Sequence, residues 1–78
     1  MARIDINNFE EKTKERNNVH ETVISSYSVF EINGEKYFQI DTYKSADRQI
    51  SGKVKQTIQL DKKAAKKIVE ILRKEFNI

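Results

Sequence analysis

The chain has 78 residues, 15 basic and 12 acidic, with a formal net charge of +3 and no cysteine. That length holds one small domain and leaves no room for a second core. The lack of cysteine excludes disulfides, a thiol nucleophile and thiolate zinc sites, and no apolar run reaches the roughly 18 residues of a helical membrane span.

The opening residues, MARIDINNFEEK, lack the apolar centre of a secretory signal, so a cytoplasmic protein is expected. Residues 1–20 read as a polar arm and residues 21–78 as the single folded domain. Within the arm, Arg3-Ile4-Asp5-Ile6 fits a short edge strand, Phe9 to Arg16 fits a helical turn or two, and Asn17-Asn18 fits a break.

Thr22 to Ile32 is a strand by composition, with Ser25-Ser26 thinning its apolar content. Asn33-Gly34 follows, the strongest short hairpin signal, because both residues tolerate positive φ. The turn is either Asn33-Gly34 or Asn33-Gly34-Glu35. Lys36 to Tyr43 is the second main strand, Lys44 to Gly52 a polar connection, and Lys53 to Leu60 the third strand.

Asp61 then caps a helix from Lys62 to Phe76. Ala65, Ile68, Val69, Leu72 and Phe76 recur at three- and four-residue steps of one helix face. The predicted architecture is α+β: a curved antiparallel sheet of three to four strands with one C-terminal amphipathic helix packed on one face.

Side chains alternate along a strand. If each strand buries its most aliphatic parity, Phe30, Ile32, Phe38, Ile40, Val54, Ile58 and Leu60 meet the helix. Tyr27, Tyr37 and Tyr43 then share the other face with Lys53 and Lys55. Aromatic rings among ammonium groups suit a single strand of nucleic acid, with bases on the rings and phosphates on the cations. Tyrosine is also an ordinary strand residue that tolerates half-exposure.

Lys44, Arg48, Lys53, Lys55, Lys62, Lys63, Lys66 and Lys67 make the second half locally basic, as a polyanion partner needs or as a solvated surface has. The candidate nucleic-acid-binding residues are Tyr27, Tyr37, Tyr43, Lys44, Arg48, Lys53 and Lys55. His20, the only histidine, has no nucleophile or ligand cluster near it in sequence. No phosphate loop, dinucleotide fingerprint or nucleophile motif occurs. The expectation is therefore no catalysis, no metal and no cofactor.

The segment from Ser28 to Leu72 resembles the PC4-like family of single-stranded DNA-binding transcriptional cofactors. The likeness is carried by the Asn33-Gly34 turn, by Phe38-Gln39-Ile40-Asp41-Thr42-Tyr43, and by Lys53-Val54-Lys55-Gln56-Thr57-Ile58-Gln59-Leu60-Asp61. Three positions depart from the family: Asp41 stands in place of Arg, Gln56-Thr57 in place of a basic-Gly pair, and Ala65 in place of Trp. The resemblance implies a homodimer with paired helices and sheet grooves for unpaired DNA. It also implies that Lys53 and Lys55 contact phosphate and that Tyr43 stacks; Tyr27 and Tyr37 rest on alternation alone.

Two other readings stay open. One is a small protein-interaction or inhibitor module of phage or mobile-element type, with the tyrosines as interface anchors. The other is a double-stranded DNA binder that lays a two-stranded ribbon in the major groove.

Overall fold

The computed structural model describes residues 1–43 and 53–78. In chain order these form β1 (Ala2–Arg3), a 3-10 turn (Ile6–Asn8), β2 (Ser25–Ile32), β3 (Glu35–Tyr43), β4 (Val54–Leu60) and α1 (Lys62–Phe76). The class is α+β, a curved, unclosed four-stranded sheet with one C-terminal helix.

The hairpin is set by its turn. Asn33 and Gly34 hold φ of 53° and 80°, the two successive positive values of a two-residue primed turn. Ile32 therefore stands opposite Glu35, Phe30 opposite Tyr37 and Tyr27 opposite Ile40. Even-numbered residues of β2 thus share a face with odd-numbered residues of β3.

Strand order is β1-β4-β3-β2. The β2–β3 and β3–β4 pairs are antiparallel, whereas β1 joins β4 in parallel, with Ala2 opposite Ile58 and Arg3 opposite Gln59. The Ile4 N–H extends that pairing to the Gln59 carbonyl at 3.0 Å. The edge strand expected near Arg3 is present. The helical turn expected over Phe9 to Arg16 is absent, and a single 3-10 turn stands earlier, at Ile6–Asn8. Asp5 nucleates that turn by accepting the Asn7 N–H at 3.0 Å and the Asn8 side-chain amide at 2.7 Å.

The helix keeps the bounds its periodicity predicts. Asp61 Oδ1 accepts the Ala64 N–H at 2.9 Å, supplying one of the donors a first turn leaves unpaired. Asn77 closes the other end in the left-handed conformation, its N–H bonded to the Arg73 carbonyl.

Only the start of α1 meets the sheet closely. Ala64 is buried outright, and Ala65 shares a groove with Val29, Phe38 and Leu60. Farther along, Val69, Leu72 and Phe76 are 52%, 42% and 68% exposed. The apolar stripe therefore continues past the surface that its first turns cover.

Candidate nucleic-acid interface

The register divides the sheet into two unlike faces. The helix face carries Tyr27, Val29, Phe38, Ile40, Ile58 and Leu60. The open face carries Phe30, Ile32, Tyr37, Gln39, Asp41, Tyr43, Thr57 and Gln59. Among the described residues no helix or turn packs on the open face.

This corrects the sequence expectation for β2 in two places. Tyr27 is on the helix face, 72% exposed and stacked on Phe38 with ring centroids 5.5 Å apart. Phe30 and Ile32 are on the open face instead of in the aliphatic layer. Both errors have one cause. The expected faces require a three-residue turn, and a slip of one residue moves every β2 side chain to the other side. Between β3 and β4 the expected parity holds from Phe38/Leu60 to Thr42/Gln56 and breaks at the register shift beyond. There Val54, expected in the aliphatic layer, stands opposite Tyr43, and Lys53 loses the parity it was expected to share with that tyrosine.

Tyr37 and Tyr43 remain together on the open face, both half-buried. Tyr37 stacks on Phe30 at 5.5 Å, and the Arg3 guanidinium carbon lies 5.8 Å from the Tyr37 ring centroid. That is cation–π range. The Tyr43 hydroxyl shares a 2.9 Å hydrogen bond with Ser26 Oγ. The ring of Tyr43 is thereby fixed by a strand two places removed from β4.

Between the two tyrosines runs a polar ladder. Gln39 Nε2 donates to both Asp41 oxygens at 3.1 and 3.0 Å, Thr57 Oγ1 donates to Asp41 Oδ1 at 2.6 Å, and Gln59 Nε2 donates to Gln39 Oε1 at 2.8 Å. The chain of bonds orients both amides and holds the carboxylate in place. These groups offer donors and acceptors to a base edge, and the flanking rings offer faces to stack on. Asp41 places one negative charge in the middle.

The basic candidates are distributed unevenly. Lys53 precedes β4 and Lys55 lies within it, both exposed, beside a register shift at Thr42/Tyr43. Lys44 and Arg48 lie outside the described residues. Arg3, Phe30, Gln39, Thr57 and Gln59 belong to the face and were not among the candidate binding residues. Alternation along β3 and β4 does put Gln39, Thr57 and Gln59 on the tyrosine side. Nothing local announces Arg3, which joins only because β1 pairs with β4. Among the described residues no cluster of three His, Cys, Asp or Glu could hold a metal ion.

No family model, curated protein or solved structure matches the chain.

Proposed function

We propose that this chain is a non-catalytic cytoplasmic module that binds single-stranded nucleic acid, DNA in the first instance, on its open sheet face. It acts as a homodimer in transcription, replication or repair. One observation carries the reading. Among the described residues, a sheet face free of helices holds Phe30, Tyr37 and Tyr43 beside oriented amides, with Arg3 over Tyr37 and with Lys53 and Lys55 flanking Val54, the residue opposite Tyr43. Rings with a sequence-tolerant π-face and cations along a strand's path are what unpaired nucleic acid needs.

Pairing is supported by exposed apolar surface: Tyr27 and Val29 on β2, and Val69, Leu72 and Phe76 on α1, all stay exposed in one copy.

Asp41 supports a second reading, because a carboxylate amid the stacking face repels phosphate. On that reading the module is an interaction or inhibitor domain that docks Tyr37 and Tyr43 on a larger protein. Anisotropy titration with a short fluorescent single strand at two salt concentrations separates the two. Three cations on phosphates give a slope of about −2 in log affinity against log salt. No binding at micromolar protein overturns the first reading. A stoichiometric protein partner retained after nuclease treatment favours the second.

A further inference from the structure

The sheet has two unlike edges. At one, β1 is two residues long and offers little to pair with. At the other, β2 runs for eight residues and, among the described residues, pairs with β3 alone. Among the described residues, α1 reaches β3, β4 and the 3-10 turn but not β2. The strand has no proline and no lysine, and its one charge, Glu31, sits near its end. Among the described residues the edge thus lacks the proline, lysine and covering helix that commonly blunt one.

One bond decides which backbone groups this edge presents. The Tyr43 N–H donates to the Ile24 carbonyl at 2.9 Å, so residue 24 turns its hydrogen-bonding groups toward β3. Antiparallel alternation then turns those of Ser26, Ser28, Phe30 and Ile32 inward as well. The N–H and C=O groups of Ser25, Tyr27, Val29 and Glu31 point outward. This outward set is symmetric about Ser28.

We propose that β2 pairs with β2 of a second copy of this chain, antiparallel, about a two-fold axis at Ser28. In that register Tyr27 lies opposite the partner's Val29, and Ser25 lies opposite the partner's Glu31. All four outward residues exchange both backbone bonds. Tyr27 and Val29, 72% and 53% exposed in one copy, cover each other across the axis on the helix face. The two Glu31 side chains sit roughly 20 Å apart, six residues along the ladder, so no like charges meet. The assembly closes at two copies, because the edges left among the described residues are the two-residue β1 strands. The proposal rests on the homodimer reading above and assigns its contact. The stripe of α1 carries no comparable register.

A disulfide tests it, since the chain has no cysteine of its own. Ser28 pairs with itself at a non-hydrogen-bonded site, where Cα atoms stand about 4.5 Å apart. That spacing accepts a disulfide. Ser28→Cys in the full chain is expected to convert almost wholly to a covalent dimer under mild oxidation. Ile32→Cys, displaced from its mate by about 26 Å, is expected to stay uncrosslinked. Val29→Pro removes an outward N–H and no bond to β3, so the fold should persist while the mass by light scattering falls by half.

A wild-type dimer whose Ser28→Cys variant does not crosslink, or whose Val29→Pro variant stays dimeric, overturns the edge contact and leaves pairing through another surface. Equal crosslinking of Ile32→Cys also overturns it. A wild-type chain that is monomeric throughout overturns both the contact and the homodimer. Strand binding by the open face is read separately in each case.

Discussion

Phe30 stands directly opposite Tyr37, ring centroids 5.5 Å apart and planes 27° from parallel. That pairing settles which aromatics can share a ligand. It puts Phe30 on the open face with Tyr37 and Tyr43, and it sends Tyr27 to the other side against Phe38. The tyrosines therefore separate into two classes that substitution can tell apart.

Tyr37→Ala and Tyr43→Ala are each expected to weaken single-strand binding by about 1–3 kcal/mol, the cost of losing a stacked base. Tyr27→Ala should leave affinity within about 0.5 kcal/mol for a strand short enough to occupy one protomer, as for a residue outside the site. Tyr43→Phe keeps the ring, loses only the bond to Ser26, and should bind nearly as the wild type does. Anisotropy titration of the four variants checks the pattern. Equal losses at Tyr27 and Tyr43 would contradict the assignment of faces.

Asp41 tests the chemistry of the partner. Asp41→Asn removes a negative charge from the centre of the open face and keeps an oxygen for Thr57 Oγ1. Nucleic-acid affinity should rise by up to about 1 kcal/mol, because a like charge near phosphate is removed at a solvent-facing site. Folding stability should fall by roughly 1 kcal/mol, since the amide accepts fewer of the three hydrogen bonds that the carboxylate takes. A loss of affinity on this substitution would mean that the Asp41 carboxylate accepts a hydrogen bond from the strand instead of repelling it.

Much of the fold was readable because its signals are local. The Asn33-Gly34 turn, the Asp61 cap and the spacing of Ile68, Leu72 and Phe76 each specify an element without reference to the rest of the chain. The facial assignment of β2 was not readable, because it depends on whether Glu35 belongs to the turn or to the strand. Composition argues for the wrong answer there: Phe30 and Ile32 are more apolar than Tyr27 and Glu31. The turn geometry overrides that preference. The contribution of Arg3 was equally hidden, since parallel pairing of β1 with β4 joins residues more than fifty positions apart. How far α1 covers the sheet was not readable either. Periodicity identifies an apolar stripe but not what lies against each turn of it.

Gly34 carries the turn that fixes this register. Its φ is +80°, and a β-carbon built there meets nothing within 4 Å. Gly34→Ala therefore tests backbone conformation free of any clash, and it should cost roughly 1–2 kcal/mol. A urea midpoint lowered with unchanged slope would show it. An unchanged midpoint would mean that the hairpin closes through a different turn.

Asp61 holds the first turn of α1, the only part of the helix well packed on the sheet. Asp61→Ala should cost about 0.5–2 kcal/mol, and Asp61→Asn should recover most of it, because the amide oxygen still accepts the Ala64 N–H. Circular dichroism at 222 nm during denaturation measures both. Equal losses for the two variants would indicate that charge, and not capping, is what the position supplies.

Asp5 gives a pH dependence with a definite sign. The side-chain hydrogen bond from Asn8, followed by the backbone bond from Asn7, holds its carboxyl below the ordinary value of 3.8. The folded pKa is thus lower than the unfolded one. The stabilisation this gives the turn is complete above the unfolded value and is lost as pH falls through the folded one. Between neutrality and pH 5 the turn should not change. Below about pH 4 the Asn7 and Asn8 amide resonances should move together, and the Ile4 N–H that ties β1 to β4 should exchange faster. Asp5→Asn should abolish the titration. An Asp5 carboxyl that titrates at or above its ordinary value would show that the two bonds do not favour the charged form.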